Sequence, residues 1–221
     1  MKGDIILLKP EYYSIAAELS SWLSQYLMTM QKFVIVVAGE SGSGKSVTAI
    51  TLSQELENIG IRSTVLHMDD YFKLPPISNN LNRMQSLENV GLSEVRLDVL
   101  QSNIDDFIIG KISFVKPLVD YNNNSISEEE IDVGHCQVLI VEGTYTAALE
   151  NVHLIVFLER TFLETLENRR IRNRESHSEF IEQVLAIEHK IIVTHKEKSH
   201  IIIDKNYQVK YHKHFKATYD D

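Results

Sequence analysis

Residues 39–46, Gly-Glu-Ser-Gly-Ser-Gly-Lys-Ser, constrain this chain more than any other stretch. They fit the Walker A pattern G-x-x-x-x-G-K-[ST], and their surroundings fit as well. Phe33–Ala38 reads as a buried strand running into the loop, and Val47–Glu57 reads as a helix leaving it. Glycines let the backbone turn tightly and aim its N–H groups at phosphate oxygens. The helix that follows places the positive end of its dipole at the same point. Gly39, Glu40, Ser41, Gly42, Ser43, Gly44, Lys45, Ser46 and Val47 are therefore the expected nucleotide-binding residues. Lys45 is expected on the β- and γ-phosphates, and Ser46 on Mg²⁺.

The apolar pattern around this loop predicts an α/β fold. Pro10–Met28 has helical spacing. Arg62–Met68, Val138–Val141, His153–Leu158 and Ile201–Ile203 are short apolar runs of the kind buried in parallel sheets. Helical patterns alternate with them, which gives a doubly wound sheet. Ile112–Val119 and Ser125–Val133, joined by a polar turn at 120–124, read as a hairpin excursion. Pro75-Pro76 and the polar run 78–83 read as a loop able to cover a substrate. Ser93 reads as the cap of a helix with Glu94 in its first turn. Thr161-Phe162-Leu163-Glu164 is a capping box, and Tyr207–Tyr211 reads as an added edge strand. The chain is expected to be one domain: a helical extension (1–31), a core (32–204) and a C-terminal edge segment (205–221).

At 221 residues with a net charge of −9, the chain as a whole repels a nucleic-acid backbone. The single cysteine, Cys136, excludes an internal disulfide framework and fits a reducing compartment. No run approaches a membrane span and Met1–Asp4 does not read as a secretory signal, so a cytoplasmic protein is expected. The expected partner is a small-molecule hydroxyl acceptor, with no nucleic acid and no membrane; a homo-oligomer is compatible with this. His189, His195, His212 and His214 show no metal-ligand spacing and read as surface residues.

Strand ends carry the expected chemistry, because ligands of open α/β sheets bind beyond the carboxyl ends of the strands. Glu142 ends one apolar run and is the natural acidic partner of Ser46 on the metal, directly or through water. Asp69 and Asp70 end another. Side chains alternate along an extended segment, so one of the two faces the phosphates; Asp69 is the choice as proton acceptor and further metal ligand, and Asp70 competes with it. Arg169, Arg170, Arg172 and Arg174 put four guanidinium groups in six residues, and beside a phosphate loop they read as a lid clamping phosphate and stabilising charge during transfer.

The order of phosphate loop, Asp69-Asp70-Tyr71-Phe72-Lys73, Val141-Glu142-Gly143-Thr144 and arginine-rich helix resembles the uridine kinase, phosphoribulokinase and pantothenate kinase family of P-loop kinases. The resemblance spans about Lys32 to Asp204. It implies a five-stranded parallel core with a helical lid, and ATP- and Mg²⁺-dependent phosphorylation of a hydroxyl on a small metabolite. On these positions Asp69 matches the catalytic aspartate, Ser46 and Glu142 the magnesium ligands, and Tyr71 and Phe72 the aromatics beside the acceptor. Glu88 falls near an acid that holds ribose hydroxyls. Val119 and Asn124 stand where uridine kinases carry a base-reading tyrosine and histidine. A hydrophobic residue cannot replace a base-reading hydrogen bond, so uridine as the acceptor is doubtful. A sugar phosphate or pantothenate-like acceptor, or a regulatory ATP binder without transfer activity, are the alternatives.

Overall fold

The computed structural model describes residues 8–172 and 178–211, with only the backbone of Arg172. Its centre is β1 (Phe33–Gly39), every residue of which is buried. It pairs in parallel with β5 (Val138–Gly143) on one side and β6 (Leu154–Leu158) on the other. Two more parallel strands, β2 (Ser63–His67) and β7 (Ile201–Ile203), extend the sheet, and β8 (Val209–Tyr211) closes it antiparallel to β7, giving the order β2-β5-β1-β6-β7-β8. The five-stranded parallel core and the edge strand both match the reading of the sequence.

Alternation along β1 divides the interior in two. Phe33, Ile35 and Val37 face one layer, where α1 (Pro10–Leu27) and α2 (Lys45–Asn58) supply Leu19, Leu23, Leu52 and Leu56. Val34, Val36 and Ala38 face the other, where α4 (Leu97–Ile108) supplies Leu100, Ile104 and Phe107. The extension ahead of β1 is thus a packed helix that covers one face of the sheet.

Around the carboxyl ends of the strands the structure departs from the sequence reading in three places. Residues 76–85 form a helix, α3 (Pro76–Gln85), where a loop was expected. Pro76 fills an entry position, where a missing N–H costs nothing, and Arg83 in the last turn is anchored by carboxylates from elsewhere in the chain. The helix expected from Ser93 begins four residues later, at Leu97. Glu94 is buried instead, with Oε1 accepting from Asn79 (3.0 Å) and Oε2 from the Gly91 N–H (2.7 Å). Met68–Tyr71 is a 3-10 turn and not a continuation of the strand.

The hairpin is present as β3 (Ser113–Asp120) and β4 (Ser125–Asp132), paired antiparallel. It is fixed to the 3-10 turn through Asp70, which is completely buried. The Lys116 ammonium lies 2.9 Å from Asp70 Oδ2, and the Val119 N–H donates to Oδ1 (3.0 Å). Lys116 is itself buried and also meets Glu129 at 2.7 Å. Removing one partner of a buried ion pair leaves the other charge desolvated and uncompensated. We expect Lys116→Met to lower unfolding free energy by about 3–5 kcal/mol, measured by urea denaturation. A loss below about 1 kcal/mol would show that Asp70 does not depend on this contact.

Candidate active site

The loop between β1 and α2 is held by contacts that engage its carbonyls. Thr165 Oγ1 donates to Ser41 O (2.8 Å), the Asn168 side-chain amide donates to Gly42 O (3.2 Å), and Lys45 Nζ donates to Glu40 O (2.9 Å). The first N–H groups of a helix have no intrahelical acceptor, so at the start of α2 the loop offers donors, with its carbonyls committed elsewhere. That polarity suits an anion. Glu40 itself is an anchor: Oε2 accepts from the Phe162 N–H (2.6 Å) and Oε1 lies 2.7 Å from His189 Nδ1. His189, read as a surface residue, therefore braces the loop, and His195 is buried, its pKa lowered by burial.

Two glycines are fixed by their neighbours. Gly42 has φ +75°, and a Cβ there would stand 2.8 Å from Arg169 Cγ. Gly44 has φ +105°, and a Cβ there would stand 2.1 Å from the Tyr12 hydroxyl. Tyr12 reaches beneath the loop from α1. Its ring meets Tyr207 edge-on at 5.3 Å, and Arg160 donates to the Tyr207 hydroxyl (2.6 Å). Burial, then the neighbouring Tyr207, push the Tyr12 phenol well above its usual pKa, so this floor carries no phenolate.

Parallel pairing sets the acids beside the loop. Glu142 on β5 lies opposite Val37 of β1 and His67 of β2. Its Oε1 accepts from Ser46 Oγ (3.0 Å) and lies 2.6 Å from His67 Nδ1. Burial works against an imidazolium at His67, but the hydrogen bond and charge of Glu142 outweigh it and the pKa is raised. Asp69 lines the cleft while Asp70 is buried behind it. The separation comes from the 3-10 turn and not from strand alternation.

The cleft between loop and α3 has a volume of about 280 Å³. Lys45, Ser46 and Arg169 line its loop end, and Asp69 and Glu142 line its side. Phe72 and Val119 also line it, as expected. Asn79, Asn80 and Arg83 of α3, Tyr121 of the hairpin turn, and Ile181 and Glu188 of α6 (Glu179–Ile192) line it too. None of these last six was singled out from sequence; the Arg83–Glu188 contact joins residues 105 apart in the chain.

Several expected residues lie elsewhere. Tyr71 is buried in the core with its hydroxyl donating to Asn103 (2.8 Å), because the 3-10 turn points it away from the cleft. Glu88 is exposed in the 3-10 turn that follows α3, and Asn124 accepts the Ile77 N–H (2.8 Å); neither lines the cleft. Of the arginines, Arg169 of α5 (Leu166–Arg172) is buried against Gly42, its Nη2 donating to Phe162 O (3.0 Å) and Glu182 (3.3 Å), with no partner for Nε among the described residues. Arg170 is exposed, 3.9 Å from Glu167. The Arg172 side chain and Arg174, with His212 and His214, lie outside the described residues.

Ser46, Glu142 and Asp69 bring a hydroxyl and two carboxylates to one wall, an all-oxygen set that fits Mg²⁺. Among the described residues no group of three His, Cys, Asp or Glu forms a metal site on its own.

A largely parallel sheet with a phosphate loop at its centre and a cleft beside it is the architecture of P-loop nucleotide-binding proteins. No protein-family model matches the chain. Over 189 residues it is 31% identical to the bifunctional alpha-galactosidase/sucrose kinase AgaSK of Mediterraneibacter gnavus, a match covering 79% of this chain and 20% of that protein, so the chain spans about a fifth of this relative. It is 27% identical over 146 residues to uridine kinase of Mycoplasma pneumoniae, covering 64% of this chain and 67% of that one. D-glycerate 3-kinase from Cryptococcus neoformans superimposes with a TM-score of 0.62 at 12% identity, over 93% of this chain and all of the other (100%). In sequence the chain is thus similar to a sucrose kinase and a uridine kinase, and in fold to P-loop kinases.

If Tyr12 floors the loop, Gly44 and Gly60 should respond differently to the same change. Gly60 also has positive φ (+82°), but a Cβ there meets nothing within 4 Å. We expect Gly60→Ala to cost about 1–2 kcal/mol, the backbone term alone, and Gly44→Ala to cost clearly more. Urea denaturation of both variants decides; equal losses would remove Tyr12 from this role.

Proposed function

We propose that this chain transfers the γ-phosphate of ATP, with Mg²⁺, to a hydroxyl of a small metabolite such as a nucleoside or sugar. One observation carries the reading. Asp69 lies on the wall of a cleft whose end is the phosphate loop, so an acceptor seated there has a carboxylate on one side and the γ-phosphate on the other. Phosphoryl transfer needs little beyond such positioning and charge stabilisation. The acceptor hydroxyl oxygen forms the new bond to the γ-phosphorus, the bond to the β-phosphate oxygen breaks to leave ADP, and the hydroxyl proton passes to Asp69. Lys45 and Arg169 supply positive charge at the loop end. Bound Mg²⁺ would neutralise phosphate oxygens, held by Ser46 and Glu142 with Asp69 beside them.

The names of the relatives support acceptors that carry sugar hydroxyls: one includes a sucrose kinase, the other is a uridine kinase. Val119 in the cleft, where a base-reading tyrosine stands in uridine kinases, favours the sugar.

Asp69→Asn should keep Mg–ATP affinity within about threefold and lose at least about 100-fold in turnover, the scale of a general base. Lys45→Ala should weaken Mg–ATP binding itself. Calorimetric titration with Mg–ATP and coupled ADP release measure the two effects separately. Normal turnover by Asp69→Asn would remove Asp69 from the mechanism, and unchanged affinity in Lys45→Ala would remove the loop from nucleotide binding.

A further inference from the structure

Glu142 is only 3% exposed, and a carboxylate taken that far out of water needs hydrogen-bond donors or a cation. Ser46 Oγ supplies one donor at 3.0 Å, and the ring of His67 supplies another at 2.6 Å. Both fall on the same oxygen, Oε1. An ionised carboxylate can only accept, so the proton of the second contact sits on His67 Nδ1. An imidazole in that tautomer and an imidazolium both carry it, so the contact does not depend on the charge of the ring. Among the described residues no other group hydrogen-bonds or pairs with Glu142, which leaves Oε2 unengaged.

The backbone places the ring. His67 is the last residue of β2 and lies directly opposite Glu142 in the parallel pairing of β2 with β5. The 3-10 turn that carries Asp69 to the cleft wall follows at once. Two donors on one oxygen fix how the carboxylate is turned: Oε1 stays with Ser46 and His67, and Oε2 remains for a cation or its water. The Ser46 hydroxyl can ligate through an oxygen lone pair while its proton stays on Oε1. Without His67 the buried carboxylate would keep a single hydroxyl donor. It would then take up a proton or turn away, and either change removes a ligand.

We propose that His67 is a positioning residue for the metal, its Nδ1–H holding Glu142 ionised and turned so that Oε2 meets Mg²⁺ or a water bound to it. This rests on the kinase reading above and adds to it the side chain that sets how tightly the ion is held. Outer partners of metal ligands govern affinity by about 10–100-fold.

The test titrates the full chain with ATP by calorimetry, across a series of Mg²⁺ concentrations and again in EDTA. It compares wild type with His67→Phe, His67→Leu and His67→Asn. The first two fill the space without a donor, whereas the asparagine amide nitrogen stands where Nδ1 does. In the two apolar variants we expect the Mg²⁺ concentration that half-saturates its effect on ATP binding to rise about tenfold or more. Their ATP affinity in EDTA should match wild type, with a circular-dichroism melt showing folded protein. His67→Asn should follow wild type in both titrations. An unchanged Mg²⁺ dependence in either folded apolar variant overturns the proposal. So does an equal loss of ATP affinity in EDTA, or a His67→Asn protein as impaired as His67→Phe. Apolar variants that both fail to fold would make His67 a structural residue and overturn it too. Wild-type ATP binding that ignores Mg²⁺ also overturns it and leaves the nucleotide reading standing. Absence of ATP binding with or without Mg²⁺ would defeat the kinase reading itself.

Discussion

A phosphate loop works only if its carbonyl oxygens are kept away from the anion, and here that task falls to two side chains outside the loop and to the loop's own lysine. Thr165 and Asn168 take the carbonyls of Ser41 and Gly42, and Lys45 folds back onto that of Glu40. Glu40 adds the reverse contact, accepting the Phe162 N–H. The segment that follows β6 is thereby laced to the loop from both directions. Its arginine at 169 is held against Gly42 because this lacing sets the start of α5.

The second constraint is the parting of two adjacent aspartates. A carboxylate buried as deeply as Asp70 is tolerable only with a cation and a backbone donor, and Lys116 and Val119 provide them from β3. Asp70 thus fixes the hairpin, and the hairpin carries Val119 and Tyr121 to the cleft. Asp69 is left on the wall beside the loop. One residue is spent on placing the other.

What could be read from the sequence was what local chemistry dictates. The glycine loop, the apolar strand runs, the hairpin and the strand-end acids each announce themselves within a few residues. The helix α3 did not, because prolines and asparagines argue locally for a loop, and its anchors are Glu94 and Glu188, the latter 105 residues from Arg83. The run 78–83 reads as a loop over a substrate, and the same remoteness hid that Asn79, Asn80 and Arg83 reach the cleft from a helix. Tyr71 was misplaced for a geometric reason: a 3-10 turn advances side chains differently from a strand, so the residue after the aspartates points inward. Alternation along an extended segment separates Asp69 from Asp70 in the sequence; the turn does not follow that alternation, yet it also leaves Asp69 on the cleft wall.

The floor beneath Gly44 joins parts of the chain made at very different times. Tyr12 comes from the first helix, while Tyr207 stands just ahead of the strand that pairs with the last parallel strand of the sheet. Tyr211 reaches α1 as well, its hydroxyl donating to Glu18 (3.1 Å). On a ribosome, the loop is translated early but its underside is completed only after residue 207 has emerged. A nascent chain stalled short of that point would hold the motif without its support, so nucleotide capture should mature once residue 207 has emerged and not when the loop itself appears.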